Sequence, residues 1–516
     1  MTSSNDDGDD LVADIAQMLE TAREMARAGN LTAALRLLED QANRGADQAP
    51  AIFEIGNLTK AAGLLDQAEA AFRRVMQLRP GSIEAATNLA NVLAAKGQTR
   101  SAIAVLGNVQ AAAPGNPLVD VSLADALFAD GRVEEALAVY GRLRDAHPDY
   151  PALHANLGEA LARLGRHRDA IAALDRAAAL APGNPAIVRN RGFSRLALDD
   201  IAAGLADYEA RLDPGLADAP IRTGLEAPRW DGTPTLDGPL LVVAEQGLGD
   251  EIRFAAALPR LIDRVGPVIV ECDPRLVDLF ADSLSGAEVM PHNRRRDGAR
   301  AVFDYGHLTA RPAAWIEAGS VPLRLGLPAG VPMATMGFIL ADHQRACLMR
   351  ARLKAEAADR PLVGFCWGSG AVERPRTRFY PPLEAWVPIL RDLDATFVDL
   401  QYVTSDSDRA ILEAASGAEI VGTDDVDKRN DLPTAACLAA AMDVVIGVSS
   451  SVAAMAAAVG TPTVEVTPER TWVPQVGGRD AWLGSIVCAY PDRPGDWDQA
   501  MARGLAEITD ILEYTA

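Results

Sequence analysis

The chain has 516 residues, 49 % hydrophobic and 23 % charged, an ordinary globular composition at a length that calls for several domains. Its 49 basic and 71 acidic residues leave a net charge of −22, which argues against a general nucleic-acid binder because that role needs a basic surface. No apolar run reaches the roughly 18–20 residues that span a bilayer. The five cysteines (Cys272, Cys347, Cys366, Cys437, Cys488) form no CxxC pair and the six histidines show no HExxH spacing, so neither zinc nor a disulfide framework is indicated.

Residues 1–13 open as MTSSNDDGDD, polar and acidic, without the basic start and apolar stretch of a secretion signal. They are expected to be disordered, and the chain to stay in the cytoplasm. Residues 14–213 then show a repeat. Pro80, Pro114, Pro148 and Pro182 are spaced by 34 residues, and so are Gly63, Gly97, Gly131, Gly165 and Ala68, Ala102, Ala136, Ala170. A large residue follows each alanine by four: Phe72, Leu106, Tyr140, Leu174. That period is the tetratricopeptide repeat's. The glycine ends helix A, the alanine lets helix B pack closely, and the proline stops helix B. Degenerate copies at about 14–45 and 185–212, the second keeping Gly192 and Tyr208, bring the array to between five and six units. Such a solenoid offers a concave face to a protein, where Asn88, Asn91, Asn156 and Asn190 suit an extended backbone or are simply solvated. A rigid spacer or dimerisation surface is the alternative.

After residues 214–238, a linker rich in Gly and Pro, strands alternate with helices, which implies parallel sheets. PLLVVAE and VGPVIVECD open a first lobe at 239–345. PLVGFCWG, ATFVDLQYV, DVVIGVSS and PTVEVTP belong to a second at 346–516. The expected class is an α-solenoid followed by two Rossmann-like lobes, with the last helix, about 496–513, folding back across them.

Four loops at strand ends carry chemistry. Gln246, Gly247, Gly249, Asp250 and Glu251 follow the first strand. The glycines allow close approach of a ligand, and Asp250 suits either a general base for an acceptor hydroxyl or a helix cap. This GLGD is not the GxGxxG fingerprint, which disfavours a nicotinamide enzyme. Gly368, Ser369 and Gly370, with Arg374, Arg376 and Arg378, suit a phosphate or a sugar carboxylate, or form a solvated basic loop. Ser449, Ser450 and Ser451 stand where a helix N-terminus makes an anion site, and serines are also ordinary caps. Gln401, beside Tyr402, suits a base or ribose, and Trp472 is a cleft-lining ring; both also have plain structural readings.

VVAEQGLGDEIRFAAALPRL with VIVECDPRLVDLF resembles the start of the glycosyltransferase domain found in bacterial tetratricopeptide-repeat proteins. DLPTAACLAAAMDVVIGVSSSVAAMAAAVGTPTVEV is similar to that family's donor-site segment. Both resemble, more distantly, heptosyltransferases of lipopolysaccharide synthesis, which are metal-independent, inverting enzymes of the GT-B fold. The resemblance implies that Asp250 is the base, that no cofactor is needed, and that a nucleotide sugar is the donor. It departs from the heptosyltransferase donor motif: Ser449–Ser451 replace Asp-Thr-Gly, and Ala454 replaces a histidine. Repeats fused to such a domain resemble protein glycosyltransferases that modify flagellin serines and threonines from CMP-linked nonulosonic acids, whose carboxylate suits the three arginines. A non-catalytic scaffold is a second reading. A transferase for lipopolysaccharide or lipid-linked sugars is a third, with Arg294, Arg295, Arg296 and Arg300 as its only hint of a membrane-facing patch.

Overall fold

The computed structural model describes residues 6–44, 47–245, 247–297, 300–306, 308, 311–326, 330–357, 360–368, 379–403 and 406–515. It divides into two compact units: Met1–Ala160, Ala172–Ile187 and Arg296–Arg300 in the first, and Leu161–Ile171, Val188–Arg295 and Ala301–Ala516 in the second.

Twelve helices come first: α1 Asp6–Arg27, α2 Leu31–Arg44, α3 Ala49–Ala61, α4 Leu65–Leu78, α5 Ile83–Ala95 and α6 Thr99–Ala112. They continue with α7 Pro117–Ala129, α8 Val133–Ala146, α9 Pro151–Arg163, α10 His167–Leu180, α11 Pro185–Leu196 and α12 Ile201–Tyr208. From α2 onward every second helix starts 34 residues after the last, so the repeat read from the sequence is the repeat of the backbone. Gly63, Gly97, Gly131 and Gly165 end the A helices at φ +70° to +80°, the left-handed conformation that spares only glycine a Cβ clash. All four register alanines and the four large residues after them are buried. The A helices are started by caps: Ser82 Oγ accepts the Ala85 amide at 3.3 Å, and Asn116 accepts that of Leu118 at 3.0 Å. Proline stands first in α7, α9 and α11, where its missing N–H costs nothing.

Two expectations change here. Helix α1 begins at Asp6, inside the stretch read as disordered. Among the asparagines, Asn88 accepts the Lys60 ammonium at 2.5 Å and Asn156 donates to Asp125 at 2.7 Å, so both are already paired within the first unit.

The second unit holds the two lobes. Strand β1 Ile221–Thr223 lies inside the segment read as linker and pairs in parallel with a later strand, because Trp230 and Arg229 just beyond it are fastened to Trp315 and Glu317. The first lobe runs β2 Leu240–Val243, α13 Leu248–Ala255, α14 Leu258–Val265, β3 Val268–Cys272, α15 Val277–Ser283 and β4 Ala287–Pro291. β5 Arg294–Asp297 and β6 Arg300–Asp304 follow, then β7 Ala314–Glu317 and α16 Val321–Leu325. Its main sheet has the order β4-β3-β2-β7, all parallel. β6 pairs with β1 in a separate small sheet, and β5 is exposed throughout.

The second lobe contains α17 His343–Glu356, β8 Leu362–Cys366, α18 Val387–Asp392, β9 Thr396–Asp399, α19 Asp406–Ser416, β10 Ile420–Val421 and α20 Leu432–Ala440. β11 Val444–Val448, α21 Ser451–Ala458, β12 Thr463–Val466, β13 Gln475–Val476, β14 Arg479–Asp480, β15 Ile486–Ala489 and α22 Trp497–Thr515 complete it. Its six parallel strands lie in the order β10-β9-β8-β11-β12-β15, extended by antiparallel β14 and β13. Counted among themselves in chain order, the six are 3-2-1-4-5-6, the doubly wound order of dinucleotide-binding folds. Both lobes therefore have a switch point, between β2 and β7 and between β8 and β11.

The second lobe begins earlier than residue 346. The Met333, Ala334, Phe338 and Ile339 amides already bond to Ala481, Trp482 and Ala458 carbonyls, and an extended segment of this kind leaves no periodic pattern to read. Helix α22 does not cross the lobes as expected. Its Ala500, Met501 and Ile508 are buried in the second lobe's own core, against β11, β12, β15 and α18.

Arg253 of α13 joins the lobes. Its buried guanidinium lies 2.9 Å from Glu465 on β12 and 3.1 Å from Asp480 on β14. Burial works against its charge, but Asp480 and Glu465 overcome that and raise its pKa. Arg253→Ala would strand two desolvated carboxylates and is expected to cost about 3–5 kcal/mol in urea denaturation. Neutralising all three (Arg253→Met, Glu465→Gln, Asp480→Asn) is expected to recover much of that loss.

Candidate functional site

Strand β2 is buried along its length and delivers Ala244 and Glu245 to the first switch point. There the Glu245 carboxylate receives a bidentate Arg211, at 2.7 and 2.9 Å, and the Gly319 amide at 2.8 Å. Arg211, just after α12, is buried; it also donates to Ser320 at 2.9 Å and lies 4.2 Å over the Tyr208 ring. A Cβ on Gly319 would come within 2.5 Å of Glu245, so this switch point is filled by protein.

Gly247 caps α13 and is exposed. Asp250, in the first turn, lines a cavity of about 250 Å³ with Arg189, Phe193, Tyr208, Glu245 and Trp472. Trp472 stacks on Tyr208 with ring centres 5.6 Å apart and 20° between planes, and packs on Phe193 and Phe254. Asp250 and Trp472, 222 positions apart by their numbering, thus line one cavity. Glu251 does not join them. Successive helical residues point about 100° apart, and Glu251 is buried at the end of β3, accepting the Asp273 amide at 2.7 Å.

The second switch point is built from Cys366, Gly368, Gln401 and the serines. Gln401 Oε1 accepts the Cys366 thiol at 2.8 Å and the Gly368 amide at 3.2 Å. The Gln401 oxygen therefore shapes the loop rather than waiting for a ligand. Ser450 Oγ lies 3.7 Å from Cys366 Sγ and accepts the Ala453 amide at 3.3 Å, capping α21. Ser449 lies beside the buried Glu465 and favours its charged form. A Cβ on Gly249 would lie 3.4 Å from the Ser451 backbone, so the two glycine- and serine-bearing loops of the lobes meet directly. Burial pushes the Cys366 thiol up to about 12, which keeps it a neutral donor.

Lys428 was not singled out in the sequence. Its ammonium reaches the Asp399 carbonyl at 3.1 Å and Thr423 at 2.9 Å beneath the same loops, and burial lowers its pKa. Nothing in its local pattern marks it, because only the fold of β9 and the turn before α20 brings it there. Gln246, Ser369, Gly370, Arg374, Arg376 and Arg378 lie outside the described residues. Among the described residues, no group of three or more His, Cys, Asp or Glu is placed to hold a metal ion, and no helix is long and apolar enough to cross a membrane.

Residues 60–125 and 121–185 each match a tetratricopeptide-repeat family. The N-terminal region is a tetratricopeptide-repeat array. Protein FlbA of Caulobacter vibrioides is 30 % identical over 321 residues, which cover 61 % of this chain and 54 % of that protein. The chain thus spans about half the length of the curated relative it matches. Among solved structures, TTC0263, a thermophilic repeat protein of Thermus thermophilus, is 25 % identical over 32 % of this chain and 91 % of its own, with a TM-score of 0.30. MamA of Desulfovibrio magneticus is 24 % identical over 33 % of this chain and 96 % of its own, at 0.27.

Burial pushes the Glu251 carboxyl up to about 8. Above 4.5, its ordinary value, the unfolded chain releases a proton that the native state keeps. The stability this carries is complete below the ordinary value and is lost as pH rises through about 8. Glu251→Gln is expected to flatten the fall of Tm between about pH 5 and pH 8; a fall as steep as in the native chain would remove Glu251 as its source.

Proposed function

We propose that this chain is an inverting, metal-independent protein O-glycosyltransferase whose two lobes form a GT-B domain and whose repeats hold a protein acceptor. One observation carries the reading: Asp250 borders a polar cavity at the first lobe's strand ends while its own loop abuts Ser450–Ser451 at the second lobe's switch point. A carboxylate suited to act as a base and a helix terminus suited to a phosphate are thereby adjacent.

In the proposed reaction the acceptor Ser or Thr oxygen forms a bond to the anomeric carbon, and its proton passes to Asp250. The bond from that carbon to the phosphate oxygen breaks, and its electron pair leaves with the nucleotide phosphate. Gly368, Ser450 and Ser451, with Ser369, Gly370, Arg374, Arg376 and Arg378, are the proposed donor contacts. Their amides and guanidinium groups stabilise charge growing on the leaving group. The arginines favour a carboxylated sugar, which makes a CMP-linked nonulosonic acid the first donor to try and flagellin the first acceptor.

A scaffold that binds without transferring is favoured by a specific feature. Ser449 is turned toward Glu465 and Ala454 is buried, where the resembling heptosyltransferases place a carboxylate and an imidazole.

The test is a thermal-shift screen against UDP-, GDP-, ADP- and CMP-sugars, followed by transfer with the best donor. A saturating donor at a hundred times its Kd is expected to add about 2.7 kcal/mol to stability. Asp250→Asn is expected to keep that shift and lose about 10²- to 10⁴-fold in transfer. Unchanged transfer would take Asp250 out of the chemistry, and no shift with any nucleotide would leave the scaffold reading ahead.

A further inference from the structure

The turn that ends helix A recurs at Gly29, Gly63, Gly97, Gly131 and Gly165, each with φ between +70° and +82°. The sixth place in that register is Asp199, at φ +61°, and among the described residues it is the one non-glycine with positive φ. A Cβ makes this conformation less favourable than it is for glycine, though Asp tolerates it better than most L residues, and here surrounding contacts hold it. The contacts are visible. The Asp199 carboxylate accepts the Arg470 guanidinium and, through its other oxygen, the backbone amide of Gln475 at 2.7 Å.

Those two residues bracket Trp472, and Gln475 begins β13, the edge strand of the second lobe's sheet. Trp472 in turn lies on Tyr208 and closes the wall of the Asp250 cavity. Five repeats keep the residue that makes the turn easiest, whereas the last carries one that reaches the second lobe.

We propose that Asp199 is a positioning residue: its carboxylate, presented by a left-handed turn at the glycine register of the last repeat, fastens the Arg470–Gln475 loop so that Trp472 forms one wall of the Asp250 cavity. The cavity is then a composite of the last repeat, the first lobe and the second lobe. A change at Asp199 alters the cavity without touching Asp250. The inference about the wall stands on geometry alone, and only its consequence for acceptor recognition rests on the transferase reading.

The test uses the full chain labelled with 5-fluorotryptophan, with the Trp472 resonance assigned from Trp472→Phe, and amide exchange read at Gln475. Asp199→Gly restores the residue that the other turns use, so Tm is expected to hold. The Trp472 resonance is expected to move alone, and the Gln475 amide to exchange about tenfold faster. Asp199→Asn, which still offers an oxygen to that amide, is expected to keep most of the protection. Arg470→Gln approaches the same loop from the other side and is expected to move the same resonance. An unmoved Trp472 resonance with unchanged Gln475 exchange in Asp199→Gly would overturn the proposal. So would a general loss of Tm with all tryptophan resonances shifted, since that would make Asp199 a fold residue. If the positioning is right and the transferase reading wrong, both spectroscopic effects remain and no transfer is seen with any variant.

Discussion

A buried guanidinium must find its counter-charges inside the protein, and Arg253 finds both on the other lobe. Its place on α13 is three residues after Asp250, so the constraint that satisfies Arg253 also decides where Asp250 points. Glu465 accepts from Arg253, and Ser449 beside it also favours its charged form, which relates the serine loop to the same buried charge. The meeting of Gly249 with Ser451 follows from this arrangement. Two loops with unremarkable local roles, a helix cap in each case, are brought to one place by an electrostatic debt neither carries itself.

The end of the repeat array is bound into the lobes by the same kind of contact. Asp207 of α12 holds Arg191 and Arg195 of α11, so the last helical pair is cross-linked by charge as well as by Leu196, Leu205 and Tyr208 in the core. Arg211, one turn later, fills the first lobe's switch point. In a doubly wound sheet that crevice is where ligands ordinarily bind, and here protein occupies it. The open volume is displaced sideways, to the cavity between Asp250, Tyr208 and Trp472, whose walls come from parts of the chain that the sequence spaces far apart.

The candidate site was legible unevenly, and each residue shows why. The places of Asp250, Ser450 and Gly368 at strand ends and helix starts were readable because such positions have strong local signals. Glu251 was misplaced by its neighbour: adjacent positions in a helix point to different surroundings, and only the packing of α13 decides which one enters the cavity. Gln401 was open to a ligand or a structural role, and its oxygen holds Gly368 and Cys366. Lys428, Arg211 and Arg253 carry ordinary basic side chains in ordinary patterns. Asp199 was in principle visible, as the one break in a six-fold glycine register, but its meaning needed the partner loop.

Periodicity settled the solenoid before any coordinates. A 34-residue unit imposes its glycine, alanine and proline on every copy, and local backbone sterics are the same in each. Alternation of strand and helix likewise implied parallel sheets, since the connection between parallel strands has to cross a face. Strand order, the filling of one switch point and the sharing of a cavity by Asp250 and Trp472 came only with the tertiary structure. Those features depend on buried charges finding partners and rings finding rings across hundreds of residues, and no local pattern records such distant pairings.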